Sequence, residues 1–454
     1  MLLALSVELL EAIGAELTPT DHAVLRQVCK DLNSAVSRLF FSVLTLKLKI
    51  SLSGSGLGED TVEKLRVLGT GETGWSFHAK TLRILSDRVA SEENAQNDKL
   101  VDLFARTLAS LSKIQTVVWH VHHLDLPWGD HEVFGWGQTA ILHFLNTLRT
   151  LHNLELDIPS ALNVSELKVQ TLETLTLKTP GHGRGPSWRR LTPEVYQGFV
   201  DLIISQQQLN SLHIEGFIEL SAVWRMLRSK PRKTVAITEI KTTVVTQELF
   251  DYLSSYSGIR KLTLKSPDGG NVDESNRLAD IFFETALPHH VESLVELSCP
   301  AAFESRFRFG KHNVDLVSSL QKLTKLEMSI NAGAVRRVKS VASIGVSVKA
   351  KQADITPVVK LLLDTAATLP ALSSLTIVPA ETERNRGMWC GNGRIHHQGA
   401  VATAISTAVM AFRTDVPCMA IVRARFNTYE LEPRGGSVRK GRLGYKETGS
   451  WSRY

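Results

Sequence analysis

The sequence predicts an α/β fold, a short N-terminal three-helix head followed by an irregular repeat solenoid built on a parallel sheet. Two patterns point to it. The first fifty residues carry apolar positions at helical spacing, interrupted by a proline. Beyond them a short motif keeps returning, two apolar residues three apart and a third two later, often behind a helix-like segment.

In the head, Leu9, Leu10, Ile13 and Leu17 recur at helical spacing and make one apolar stripe. The run Thr18-Pro19-Thr20-Asp21 ends that helix, because proline disfavours the helical conformation in the residue before it. Thr20 or Asp21 is then expected to cap a second helix by accepting its free N–H groups. Val24, Leu25, Val28, Cys29 and Leu32 give that helix an apolar face, and a third helix is expected from about Ser34 with Val36, Leu39 and Phe40 inward. Fewer than fifty residues bury little core alone, so the head must lean on the next domain, on a partner, or on both. An ordinary helical cap on the scaffold is the competing reading. The exit from the head alternates Leu44, Leu46 and Leu48, a strand pattern expected to open the scaffold's sheet.

The returning motif stands at Leu82–Leu85, Ile114–Trp119, Leu151–Leu156, Leu172–Leu177, Leu209–Ile214, Ile259–Leu264, Leu294–Cys299, Leu323–Met328 and Leu372–Ile377. Weaker copies stand at Val235–Ile237 and Met419–Ile421. Helices are expected over 102–111, 139–148, 193–204, 247–254, 279–286 and 356–367. The unit is therefore a helix, a turn and a short strand. One such unit cannot bury its own leucines, whereas stacked neighbours bury them in a continuous column. Gly-rich or polar insertions are expected at 180–187, 266–271 and 381–399. The domain plan is a helical head at 1–48, a Gly/Ser linker at 49–60, the solenoid at 61–430 and a basic, disordered tail at 431–454. An ordinary α/β domain with parallel strands shares the same helix–strand alternation.

The head resembles the F-box motif. Its usual form opens Leu-Pro-x-Glu-Leu-Leu, places an isoleucine three residues on, and continues Asp-Leu-x-x-Leu-Arg-x-Val-Cys-Lys. Here it reads Leu5-Ser6-Val7-Glu8-Leu9-Leu10, then Ile13, then Asp21-His22-Ala23-Val24-Leu25-Arg26-Gln27-Val28-Cys29-Lys30. Ser6 stands in place of the usual proline and His22 in place of a leucine. The scaffold motif resembles degenerate leucine-rich repeats. Together they look like fungal-type F-box receptors with leucine-rich repeats. That resemblance implies a substrate-recognition subunit of a cullin-type (SCF) ubiquitin ligase, with the head on a Skp-type adaptor and the repeats on a target protein. The implied adaptor contacts are Leu5, Leu9, Leu10, Ile13, Leu25, Val28 and Cys29.

In a solenoid of this kind the residues between the motif leucines point to solvent in a row. His120, His122, Glu155, Asp157, Lys178, His213, Lys261, Lys265 and Lys325 are the candidate target-binding residues, a stripe that turns basic toward its C-terminal half and suits an acidic or phosphorylated segment. The competing function is a repeat-scaffold interaction module without a ubiquitin role.

Composition excludes several other classes. The 454 residues are 43% hydrophobic and 22% charged, a globular range. A formal charge of +6 over this length does not argue for nucleic acid. Four scattered cysteines indicate a reduced intracellular compartment, cytoplasmic or nuclear, and no apolar run reaches the roughly 18 residues of a membrane helix. The opening Met1–Leu5 lacks a basic leader, and Glu8 and Glu11 interrupt it, which argues against a signal peptide.

Chemical sites fare no better. Gly69-Thr-Gly-Glu-Thr-Gly74 has the spacing of a dinucleotide loop, but the next strand follows too soon for the helix that would receive a phosphate. His120, His122, His123 and His131 suggest a metal without a third ligand on one face. Cys390 lies among glycines without an assignable base, and His289-His290 and His396-His397 read as loop histidines. No catalytic set and no cofactor are expected.

Overall fold

The structure is a computed structural model that describes residues 5–51, 57–89, 97–120, 135–157, 164–179, 193–230, 237–331, 337–339, 348–350, 355–386, 392–415, 421–424, 427–433 and 443–450. The chain forms two compact units, Met1–Glu219 with Lys233–Val235, and Leu220–Arg232 with Ala236–Tyr454. That division falls inside the span 61–430 expected as one scaffold. Both units are mixed α/β with mostly parallel strands.

The first unit opens with three helices, α1 (Val7–Ala15), α2 (Pro19–Leu25) and α3 (Lys30–Phe40). Thr18, not Thr20 or Asp21, caps α2: its hydroxyl accepts from the Asp21 N–H while the Asp21 carboxylate accepts from the Thr18 N–H. Pro19 thus starts the helix, where its missing N–H costs nothing. The second helix also ends earlier than expected, at Leu25. Arg26 turns away to Asn33 and lays its guanidinium over the Phe40 and Phe41 rings, at 4.5 and 4.3 Å. Leu32 consequently belongs to α3.

Strand β1 (Val43–Ser51) follows, with Leu44, Leu46 and Leu48 buried as the alternation predicts. It pairs in parallel with β2 (Thr81–Val89) across α4 (Glu59–Leu68) and the five-residue α5 (Gly74–His78). Strand β1 takes residues 49–51 of the expected 49–60 linker and α4 takes residues 59–60, and residues 52–56 lie outside the described residues. Then β3 (Thr116–His120), β4 (Asn153–Asp157), β5 (Thr174–Lys178) and β6 (Ser211–Glu215) each pair in parallel with the strand before. Helices α6 (Asn97–Ala109), α7 (Gly135–Thr147) and α8 (Pro193–Ser205) precede β3, β4 and β6, while among the described residues a 3₁₀ turn at Val164–Glu166 precedes β5. The register explains the motif. Leu82, Val117, Leu154, Leu175 and Leu212 align across neighbouring strands, as do Ile84, Trp119, Leu156, Leu177 and Ile214, and all ten are buried. The leading leucines Leu151, Leu172 and Leu209 are buried just before their strands.

The second unit repeats the scheme with α9 (Ser221–Ser229), β7 (Glu239–Thr242), α10 (Gln247–Leu253), β8 (Lys261–Leu264), α11 (Val272–Ile281), β9 (Glu296–Cys299), α12 (Val314–Ser319) and β10 (Lys325–Ile330). A separate antiparallel pair, β11 (Arg337–Lys339) and β12 (Val348–Ala350), precedes α13 (Thr356–Ala367) and β13 (Ser374–Pro379). The chain closes with α14 (Asn392–Ala411), β14 (Ile421–Ala424), β15 (Asn427–Pro433) and β16 (Leu443–Ser450). Ile240, Leu262, Leu297, Leu326, Leu375 and Val422 align in one buried column. Strand order follows chain order within each unit, which is compatible with solenoid-like stacking.

Three expectations shift here. The weak copy at 235–237 is displaced to β7 at 239–242. The insertion expected over 381–399 gives way to α14 from Asn392, and the insertion at 180–187 and Cys390 lie outside the described residues. The tail expected to be disordered from 431 forms the end of β15 and all of β16, because buried Tyr429 and Tyr445 anchor that hairpin, the latter 6.1 Å from the Phe412 ring.

Candidate partner-binding surfaces

The head sorts its apolar residues into two sets. Leu10, Leu32 and Ala35 are buried together, with Leu25 and Cys29 packed against them. Gly14 lets α1 approach α3 closely, since a Cβ there would sit 3.0 Å from Leu39. On the other side Leu5, Val7, Leu9, Ile13, Leu17, Val24 and Val28 are exposed, Leu9 to 53% and Val28 to 63%. Leu9 and Ile13 lie four residues apart on one face of α1, and Leu17 follows just beyond its end. Of the residues singled out for adaptor contact, Leu5, Leu9, Ile13 and Val28 therefore face solvent. Leu10 is interior, and Leu25 and Cys29 are half-buried against the small core.

Both departures from the F-box pattern have local explanations. Ser6 caps α1, its hydroxyl accepting from the Leu9 N–H at 3.5 Å. His22 is buried, and its Nε2–H donates at 2.7 Å to the Gly14 carbonyl at the end of α1, which also accepts from the Leu17 N–H at 2.9 Å.

The strand faces carry the polar row. His120 Nε2 and Lys178 Nζ both meet Glu155 Oε1, at 2.9 and 2.6 Å, across three adjacent strands. Burial pushes the Glu155 carboxyl up, but the hydrogen bonds from Lys178 and His120 prevail and hold it below the usual carboxylate range. His213 lies between Thr176, at 3.3 Å, and Ser211, at 3.1 Å. Asp157 stands in register with His120 and Lys178. In the second unit Lys261 approaches Glu239 at 3.7 Å and Glu296 at 3.9 Å, and Lys325 meets Glu296 at 3.1 Å. Lys265 follows β8, where its N–H donates to the Thr242 carbonyl. The basic half of the stripe is thus interleaved with carboxylates that spacing alone did not assign to it. His122, with His123 and His131, lies outside the described residues.

Among the described residues no group of three or more His, Cys, Asp or Glu side chains could hold a metal ion. In the glycine-rich run, Gly71 takes φ +75° to turn the chain, and a Cβ at Gly74 would overlap the Phe41 ring. These glycines serve a turn and a close approach. His290 is fully buried: Nε2–H donates to the Leu253 carbonyl at 3.1 Å, and Nδ1 accepts from the Ile259 N–H at 3.4 Å. Burial pushes its pKa down to about 4. It is a core histidine of the second unit. Two of the expected insertions also meet, since Arg386 forms a bidentate pair with Asp268 while binding Glu383 and stacking over Phe303. The sequence carries no signal for that pairing across 118 residues.

No family model and no curated protein matches the chain. Among solved structures, a Bacteroides fragilis protein is similar at 13% identity, over 75% of this chain and 70% of that one, with a TM-score of 0.28. A likeness this weak carries no argument about fold or function. Among the described residues no helix is long and apolar enough to cross a membrane.

Proposed function

We propose that the chain is a substrate-recognition subunit of a cullin-type ubiquitin ligase. The head docks to a Skp-type adaptor, and the polar strand faces hold a target protein. The observation that supports this most is the row of solvent-facing apolar side chains on the head, Leu5, Leu9, Ile13, Leu17, Val24 and Val28, beside a core of only a few residues. A short helical unit that leaves so much apolar surface outside is suited to a partner that covers it. The F-box-like order of residues names the chemistry of that partner, an adaptor with an apolar groove.

The mechanism is positional. A tethered target presents its lysines at high effective concentration to the ubiquitin-carrying enzyme, so the chain makes no bond itself. The test mixes the full-length protein with a purified Skp-type adaptor and follows co-elution. Co-elution that disappears with Leu9→Asp and Val28→Asp supports the reading. Failure to co-elute favours a scaffold without a ubiquitin role.

A further inference from the structure

Among the described residues, strand β1 has a strand neighbour on one side only. Its even-numbered residues turn their backbone groups to β2, and the odd-numbered ones turn theirs to the open edge. The partners found on that edge establish the direction. The Lys49 carbonyl accepts from the Gly58 N–H at 2.8 Å, the Lys49 N–H donates to the Thr61 hydroxyl at 3.2 Å, and the same hydroxyl donates to the Lys47 carbonyl at 3.5 Å. The start of α4 therefore covers the C-terminal half of the edge. The groups of Val43 and Thr45 and the N–H of Lys47 remain uncovered among the described residues.

A cavity of about 510 Å³ lies along this stretch. Leu46, Leu65 and Leu68 floor it, and Val43, Val67 and Trp75 form its sides. Val43 and Val67 are exposed apolar residues on the same groove. Its charges are one-sided. Glu63 is held by Arg66, whereas Lys47 and Lys64 line the groove and form no ion pair among the described residues. Sheet edges elsewhere in proteins are blunted by charge, bulges or a covering element. Here β16 combines exposed polar side chains with an irregularity in its pairing to β15. The N-terminal half of β1 has exposed Thr45 and Lys47 but no such irregularity in its pairing to β2.

We infer that this edge is a docking site for an extended, apolar-and-acidic peptide segment of another protein, which adds as a strand beside Val43–Lys47 and places its carboxylates at Lys47 and Lys64. Main-chain hydrogen bonds supply the affinity in such strand addition, and pockets for alternate side chains supply the selection. The two lysines complement acidic residues. A second copy of the chain would bring the same Lys47 and Lys64 to this edge and set like charges against each other. The groove shares no residue with the exposed apolar set of α1, and its proposed occupant does not depend on adaptor binding.

The test titrates the full-length protein against a labelled pool of nine-residue peptides, apolar at alternate positions with aspartate at both ends, and reads fluorescence anisotropy. The expected result is saturable binding that weakens in high salt. It should fall by about tenfold or more with Thr45→Pro, which removes an edge N–H, and with Lys47→Glu combined with Lys64→Glu. Leu9→Ala with Val28→Ala should leave it unchanged. The charge-reversed pair alters only side chains at the groove, so it decides the matter if the proline variant does not fold. Absence of saturable binding, or unchanged affinity in the charge-reversed pair, overturns the inference. Self-association in sedimentation velocity that Thr45→Pro abolishes overturns it in favour of a second copy.

Discussion

Truncating Leu9 and Val28 to alanine together should weaken adaptor binding about thirtyfold while leaving the fold intact. Full burial of a leucine or valine is worth roughly 1.5–3 kcal/mol. With 53% of Leu9 and 63% of Val28 still exposed in the free chain, covering the remainder contributes about 1 kcal/mol each. Losing both costs about 2 kcal/mol, or about thirtyfold in Kd. Asp at the same positions adds the cost of placing a charge in an apolar contact and should abolish binding. Isothermal titration of the full chain with a purified adaptor gives the affinity. A thermal melt gives the control, because exposed positions outside special features shift stability by only about 0.5 kcal/mol. Leu10→Ala provides the contrast: it empties a buried site, so it should destabilise by about 2–5 kcal/mol. Leu25→Asp is a poor probe for the same reason, since Leu25 packs on the head's core. Wild-type affinity in the double alanine variant would refute the assignment of the exposed face as the docking surface.

Three further outcomes are expected. His290 is neutral in the fold, with its pKa near 4 against an ordinary 6.5, so the unfolded chain takes up a proton first as pH falls. Its contribution is complete above about pH 6.5 and lost toward pH 4, up to about 3 kcal/mol, so His290→Gln should flatten the pH dependence of the urea midpoint over that window. Gly216 has φ +137°, and a Cβ there would overlap the Thr179 hydroxyl that accepts from the Phe217 N–H, so Gly216→Ala should cost more than about 2 kcal/mol by denaturant titration. Replacing Lys261, Lys265 and Lys325 by glutamine should lose an acidic target while adaptor binding persists; glutamine is preferred to glutamate because Glu239 and Glu296 already stand beside these lysines, and unchanged recovery of partners from extract would place the target elsewhere.

The strands were legible because their leucines obey a local rule. Each motif marks one residue before a strand and two that point inward from it, and the register turns those marks into columns such as Leu154–Leu175–Leu212. The long amphipathic helices α8 and α13 were legible for the same reason. Capping was misjudged by two residues because Thr18 and Thr20 flank the same proline, and only the reach of Asp21 back to Thr18 decides between them. The first part of α14, residues 392–399, was read as a loop because its opening Asn392-Gly-Arg394 carries no apolar period. In the head, periodicity identified the apolar residues but could not divide them. Leu9 and Leu10 are neighbours in sequence, and the position of α3 makes one outer and the other core. The carboxylates that interleave the lysine stripe, Glu239 and Glu296, come from neighbouring strands, so their proximity depends on register rather than on spacing.

Because each strand of a unit's main sheet lies beside the next strand of that sheet along the chain, with β11 and β12 set apart, its hydrogen-bonding partner is never far away along the polypeptide. The parallel pairs within the units range from Asn153 with Thr174 to Lys325 with Ser374, roughly 20 to 50 residues apart, and loop-closure entropy grows only slowly over such a range. The variation is absorbed outside the strands, so an insertion can lengthen one step without moving the alignment of any other. Such nearest-neighbour topologies keep contact order low, which favours rapid assembly from several starting points. They also confine damage: a destabilised step weakens its two flanking interfaces first, and hydrogen exchange should map a core substitution as a local patch of lost protection within its unit.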